Sequence, residues 1–455
     1  MAKTLMAKKA GKPELAVVIL AAGRGKRMKS TLPKVMHQLA GRPLIHWLLA
    51  SVTKLKPART IIVTAPGMDD LRAAVSPHTC VIQHKALGTG DAVKAALPAL
   101  KGFKGDVLIL LGDMPLITVG TLKNLIKARH ADPQTALAVL GAFYNPPPDF
   151  GRLVENADGT LHKIVEHKDA TSEQRKINLC NTGAFCVDGA RLEKWLGKLT
   201  NKNAQKEFYI TDIPAIAARD GFKTQIAVTE DLDEVQGVNS RVDLAMMEYI
   251  VQSVMRLDAL ESGVTLPDPA SVYFSFDTKI GQDVVIEPNV FIGPGVVIDD
   301  NVTIRAFSHI TGARLKSGVS VGPFARLRPG TELGPDVHIG NFVEIKNSKL
   351  GKGVKAGHLA YIGDAELGEG VNYSCGAITA NYDGVNKHKT KIGKNAMVGS
   401  NVNLIAPVTI GEGAYLAAGS TITQDVPKDK MGIARARQAN LRKPLISKKE
   451  QKKDK

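Results

Sequence analysis

The chain has 455 residues, 44% hydrophobic and 23% charged, with 43 Gly and only 5% aromatics. That length predicts two or three domains, and the balance excludes a wholly disordered chain. The formal charge of +16 would suit a nucleic-acid binder, but residues 1–14 (four Lys against one Glu) and 441–455 (seven basic against two acidic) hold half of it, so no nucleic-acid partner is expected and phosphorylated small molecules fit as well.

Residues 1–13 and 441–455 read as basic disordered tails. No stretch approaches the ~18 apolar residues of a membrane span. Leu15–Ala22 is too short for one, and the Gly-rich loop behind it does not read as a secretory signal. Cys80, Cys180, Cys186 and Cys375 lack metal-ligand spacing, which predicts reduced thiols in the cytoplasm.

In chain order, Leu15–Leu20 (LAVVIL) reads as a buried strand and Leu44–Lys54 as a helix. Thr60–Thr64 (TIIVT) is a second strand, Asp91–Leu100 a helix, and Asp106–Leu111 (DVLILL) a strand ending at Gly112–Asp113. Continuous aliphatic strands separated by helices predict a mainly parallel, Rossmann-like α/β domain over residues 14–240, with ligands at the carboxyl ends of its strands. The loop Leu20–Lys34 (LAAGRGKRMKSTLPK) sets Gly23 and Gly25 just after a strand. Backbone N–H groups there can approach phosphates, and Arg27 and Lys34 add charge. This is not the dinucleotide fingerprint, since Met28 stands at the third Gly position, nor a Walker loop, since Arg27 follows Gly25–Lys26.

Ser240–Leu260 lacks Gly and Pro and repeats apolar residues at helical spacing, predicting a linker helix within residues 241–262. Then Ile280, Ile286, Ile292, Ile298, Ile304 and Ile310 recur every six residues. After a one-residue slip the phase resumes with VGPFAR, LRPGTE, LGPDVH and IGNFVE, and it returns late with IGKNAM, VGSNVN, IGEGAY and LAAGST. Six residues form one flat side of a triangular coil whose aliphatic residue stacks inward on its copy in the next coil. Residues 263–440 therefore predict a parallel β-helix of hexapeptide repeats. Chance alternation in ordinary strands would not keep phase over so many copies. Asn381–Thr390 (NYDGVNKHKT) breaks the phase and predicts a projecting loop.

The run LAAGRGKRM followed by Pro33–Lys34 resembles the sugar-1-phosphate nucleotidyltransferase family. The resemblance implies that Leu20, Ala21, Ala22, Gly23 and Lys34 hold a nucleotide. It implies that Gln83 and the Gly88–Thr89–Gly90 turn read the uracil of UTP, and that Gly151, Glu166 and Asn181 hold the sugar. Asp113 (in LGDMP) and Asn239 (in GVN) become ligands of Mg²⁺, and Arg27 and Lys34 catalytic cations. Singly, Asp113 could cap a helix, Glu166 be a solvated charge and Gly151 an ordinary turn; their order and spacing together favour function.

With the β-helix included, residues 14–440 resemble the bacterial family of bifunctional N-acetylglucosamine-1-phosphate uridylyltransferases / glucosamine-1-phosphate N-acetyltransferases. The resemblance implies a left-handed coil, with Arg328 and Lys346 on the sugar phosphate and Tyr361 and Asn372 at the acceptor amine. Asn381 and Tyr382 would start the projecting loop. Ser400, Ala418 and Arg435 would contact acetyl-CoA, and Cys375, where many relatives carry Ala, would lie at that ligand. Lys26 is a second departure, standing where a small hydroxyl residue is usual. Attack on the thioester needs an amine that has lost its proton, and a His suits that base role near neutral pH. Among eleven His, His358 stands out by its AGHLAYIGD context. The implied product is UDP-N-acetylglucosamine for peptidoglycan and lipopolysaccharide, made by a cytoplasmic homotrimer. Two rivals remain at this point. One is a purely structural or regulatory β-helix, which the His358–Tyr361–Asn372 set argues against. The other is a binding subunit with an eroded transferase domain, which the nearly intact LAAG…PK signature argues against.

Overall fold

The computed structural model describes residues 14–442. The tail predicted at 1–13 lies outside the described residues, as does the one at 441–455 apart from its first two residues. The chain divides into two compact units, one through Gln252 and one from Ser253 on.

The first unit contains strands β1 (Leu15–Leu20), β2 (Arg59–Thr64), β3 (Thr79–Ile82), β4 (Asp106–Leu111), β5 (Thr135–Phe143), β6 (Leu179–Asp188) and β7 (Lys223–Thr229). Their order in the sheet is β7-β5-β6-β4-β1-β2-β3, with a hairpin of Arg152–Glu155 and Leu161–Val165 attached to β6. β4, β1, β2 and β3 run parallel, as predicted. β6 runs antiparallel to both neighbours, a reversal that its aliphatic sequence does not announce.

The apolar runs are continuous because both faces are covered. Ala16 and Val18 pack in one core with Ile61, Val63 and Ile109 and with helix α2 (Thr89–Leu100), while Val17 and Ile19 pack in the other with Ile62, Leu108 and helix α1 (Leu44–Lys54). The predicted linker helix is present as α3 (Arg241–Glu261).

The second unit is a coil of two- and three-residue parallel strands. Ile280 pairs with Ile298, Ile286 with Ile304 and Ile292 with Ile310, so three sides close one turn. The inward set is larger than the Ile ladder, because Val284, Val290, Val296 and Val302 are also fully buried. The corners turn at left-handed residues such as Asp283, Asn289 and Asn301. These are the types that tolerate that conformation at least cost. The Gly after Ile292 serves another end: a Cβ on Gly293 would stand 2.3 Å from Thr311 Cγ2 of the next coil.

The phase slips three times, not once. Ile310 to Leu315, Ile345 to Leu350 and Ile362 to Leu367 are each one residue short, and the coil continues through Ala356 and Tyr373. The projecting loop enters as a step of 25 residues from Leu367 to Ile392, where the preceding step from Leu350 is 17.

Ile345 lies fully buried between Leu327 and Ile362 of the adjoining coils. Ile345→Ala is expected to cost about 2–5 kcal/mol and Ile345→Val about 0.5–1.5 kcal/mol, measured as shifts of the urea transition of the β-helix.

Candidate functional site

In the first unit the candidate residues converge at the carboxyl edge of the sheet, beside the switch between β1 and β4. Leu20, Ala21, Ala22 and Gly23 leave the end of β1 and line a cleft with Lys34, Gln83, Gly88 and Thr89. An adjoining recess holds Arg27, Gly151, Glu166, Asn181 and Asn239, and Asp113 lines both.

Asp113 follows β4, and its carboxylate is paired with the Lys34 ammonium, which also donates to Asn239 Oδ1 at 3.0 Å. Asn239 is placed by the start of α3. Asp243 Oδ2 accepts the N–H groups of Asn239 and Ser240 at 2.9 Å each, and Ser240 Oγ accepts the Asp243 N–H at 3.2 Å. This reciprocal cap ties the residues before the helix to its first turn. Asp113 and Asn239 thus aim two hard oxygen donors at one cationic point. The described residues hold no cluster of three or more His, Cys, Asp or Glu, so the pair suits a Mg²⁺ whose other ligands are phosphates and water, rather than a closed protein cage.

Asn181 sits at a break in the β6 register, and its N–H donates to Gly151 O at 2.8 Å. Buried Arg152 donates to the carbonyls of Phe150 and Arg175, fixing the turn that carries Gly151. Burial raises the pKa of Glu166, and Asp169, Asp212 and Glu207 add to the rise, while a hydrogen bond from Thr211 at 2.8 Å opposes it.

In the second unit, two clusters occupy successive corners of the coil. Asn341 pairs with His358, and corner hydrogen bonds continue the same column through Cys375, Ser400 and Ala418. At about 4.8 Å between coils, His358 and Ala418 lie about 14 Å apart along it. His358, Ser400 and Ala418 are exposed, and Arg435 donates to Ala418 O at 2.7 Å. Asn372 is exposed one coil on from Lys355, on the strand that carries His358.

At the next corner Asp364 is buried. It accepts from Lys346 Nζ at 3.1 Å, from Asn347 Nδ2 at 2.6 Å and from Asn381 Nδ2. Burial disfavours the Asp364 charge, but these donors outweigh it and hold its pKa below the ordinary carboxylate value. Arg328 is paired with Glu344 at 2.9 Å, and Tyr361 pairs with Glu344 on the side between the two corners. Exposed Tyr382 opens the loop, donating to Gly384 O at 2.5 Å. Lys387, in the same loop, is held below the usual lysine range by the neighbouring Lys346.

Sequence reasoning passed over Asp364, Lys387, Asp243 and Thr211. Asp364 directly follows the AGHLAYIG run and Lys387 lies in the phase-breaking loop, which were the available signals.

The geometry defines a two-domain transferase, with a nucleotidyltransferase sheet in one unit and a hexapeptide-repeat transferase coil in the other. A family model described as the MobA-like NTP transferase domain matches residues 17–152, and the bacterial transferase hexapeptide model matches residues 277–312 and 389–424. The chain is 49% identical over 429 residues to the bifunctional protein GlmU of Paramagnetospirillum magneticum, covering 94% of this chain and 95% of that one. GlmU of Zymomonas mobilis is 46% identical over 93% of this chain and 95% of its own, and GlmU of Bordetella parapertussis is 44% identical over 94% and 98%. The chain belongs to the GlmU family. It is a bifunctional enzyme of UDP-N-acetylglucosamine biosynthesis, a nucleotidyltransferase and an acetyltransferase in one chain.

Because folding raises the Glu166 pKa, its contribution to stability is complete below pH 4.5, the ordinary value, and is lost as pH rises through the folded-state value. Glu166→Gln, which stays neutral, is expected to melt above wild type at pH 7–8, with the gap closing below pH 4.5. Parallel thermal melts across that range check the sign.

Proposed function

We propose that the second unit transfers acetyl from acetyl-CoA to glucosamine-1-phosphate, and that the first then joins the resulting N-acetylglucosamine-1-phosphate to UTP with release of pyrophosphate. The observation that carries this reading is the sorting of the two constellations. Every nucleotide and sugar candidate of the first half but Gly90 lines one cleft and its adjoining recess in one unit, and the His358 column and the Lys346 corner lie in the other.

In the first unit the backbone after β1 receives the triphosphate, and Lys34 and Arg27 offset charge as the sugar-phosphate oxygen attacks the α-phosphorus. Mg²⁺ held by Asp113 and Asn239 would supply further charge neutralisation on the phosphates. Glu166, Gly151 and Asn181 orient the sugar. In the second unit Arg328, Lys346 and Lys387 hold the sugar phosphate, and Tyr361, Asn372, Asn381 and Tyr382 shape the space around the acceptor. His358 takes the amine proton as the amine attacks the thioester carbonyl, so no acyl-enzyme forms. The column Cys375–Ser400–Ala418, ending at Arg435, supplies a track of small side chains for the pantetheine arm.

The working assembly is a homotrimer in the cytoplasm. Self-association is supported by a ladder of exposed rings on the coil, Phe307 on Phe324 at 5.0 Å and Phe324 on Phe342 at 5.2 Å, continued by exposed Leu359. Such a patch is costly to leave in water. The cytoplasmic placement is supported by four cysteines that are all free. No helix among the described residues is long and apolar enough to cross a membrane.

Asp113→Ala is expected to abolish uridylyl transfer while leaving CoA release near wild type, and His358→Ala to cut acetyl transfer by about 10²–10⁴-fold while sparing pyrophosphate release. Separate assays of the two products decide, and equal loss of both in either variant contradicts the assignment. Light scattering should give three times the 48.6 kDa chain mass, with Phe324→Glu shifting the protein toward smaller species.

A further inference from the structure

Gln83 follows β3 and is anchored by its own N–H to Thr64 O at 2.8 Å. Its side-chain nitrogen donates to Gly88 O at 3.1 Å and to Asp91 Oδ2 at 2.8 Å. Both partners only accept. One is a carbonyl, and the other is a carboxylate in the first turn of α2. The residue is only 8% exposed, so water cannot compensate for a flipped amide that set its oxygen against those two acceptors. Gly88 is itself fixed: its φ is +110°, and a Cβ there would lie 2.6 Å from Phe208 O. Both N–H groups of the Gln83 amide are therefore consumed, and the amide can offer the cleft only its oxygen.

A lone acceptor at that point distinguishes the two pyrimidines. Uracil carries an N3–H donor on its pairing edge, whereas cytosine carries a bare N3 lone pair beside an amino group. We propose that Asp91 sets the preference for uracil over cytosine by locking the Gln83 amide with its oxygen toward the base. The proposal rests on the reading of the cleft as the UTP site, and it gives Asp91 a positioning role through Gln83. A site built to receive a substrate N–H rejects an analogue that lacks it far more strongly than apolar contacts could.

The test is steady-state uridylyl transfer by the full chain with UTP, CTP and ribothymidine triphosphate, comparing wild type with Asp91→Asn and Asp91→Ala. The Asn variant can donate to a flipped Gln83, and the Ala variant no longer opposes the flip. The UTP-to-CTP ratio of kcat/KM is expected to fall by at least about tenfold in Asp91→Asn and to fall also in Asp91→Ala. Asp91→Glu should restore it. The ratio of UTP to ribothymidine triphosphate, which shares uracil's pairing edge, should not move. A UTP-to-CTP ratio within about twofold of wild type in both variants, whatever the loss of rate, overturns the proposal. A purely structural Asp91 would lower all three substrates together. Acetyl transfer by the same preparations reports that the chain is intact. If neither variant survives purification, wild type with N3-methyl-UTP decides: use as efficient as that of UTP overturns the proposal, and rejection by more than about tenfold supports it. A wild type indifferent between UTP and CTP would instead remove the underlying reading of the cleft.

Discussion

Because β1, β2, β3 and β4 pair in parallel, their carboxyl ends share one edge of the sheet, and whatever follows each strand is delivered there. Ala21, Gln83 and Asp113 are separated by dozens of residues in the chain, yet each comes directly or almost directly after one of these strands. The same pairing rule governs the second unit in another form. Each short strand pairs with the one that lies one coil further on, so a position in the repeat becomes a column on the surface. A one-residue error of register would turn the inward set outward. The fully buried Ile and Val ladders therefore fix the outer columns as firmly as they fix the core.

That difference in form explains what the sequence disclosed. The Ile series from Ile280 to Ile310 was legible because the same position of each hexad is filled by the same residue type. The coils between Leu350 and Ile392 were not, since Ala356, Tyr373 and Thr379 occupy inward positions without an aliphatic signature, and two slips break the count there. In the first unit, the strands entering the site were readable as aliphatic runs. The antiparallel course of β6 was not, because a strand covered on both faces looks the same in either direction. Motif residues such as Asp113 and His358 were found through their neighbours in the chain. Asp364 and Lys387 lie next to segments the sequence did mark, the AGHLAYIG run and the phase-breaking loop, but their partners Lys346, Asn347 and Asn381 come from other coils, so no local pattern pairs them.

The irregular coils carry most of the acetyl-transfer candidates, Arg328 through Tyr382, while Ser400 and Ala418 lie in the regular coils that follow. The hexapeptide family model matches residues on either side of the irregular coils, at 277–312 and 389–424. Within the gap, strands His338–Lys346 and Lys355–Gly363 pair over an unusually long register, and Leu359 takes the left-handed corner beside His358. A regular hexad repeats its surface in every coil, so it cannot present a unique set of groups. Slips, a bulky interior Tyr373 and the inserted loop break that repetition, and the buried Asp364 binds the loop's first residue, Asn381, to the coil. Sites of this kind are where local sequence rules yield to function.

Charge is handled alike in both units. Lys34 is matched by Asp113, Arg328 by Glu344 and Lys346 by Asp364, each cation held beside a carboxylate before any anionic ligand arrives. A bare group of cations would repel itself and lose its geometry; the carboxylates suppress that repulsion and set the side-chain positions in advance. The pairing is incomplete at the Lys346 corner. There Lys387 adds a cation close enough to Lys346 to be pushed toward its neutral form. The described cations are thus set in place by local carboxylate partners in each unit.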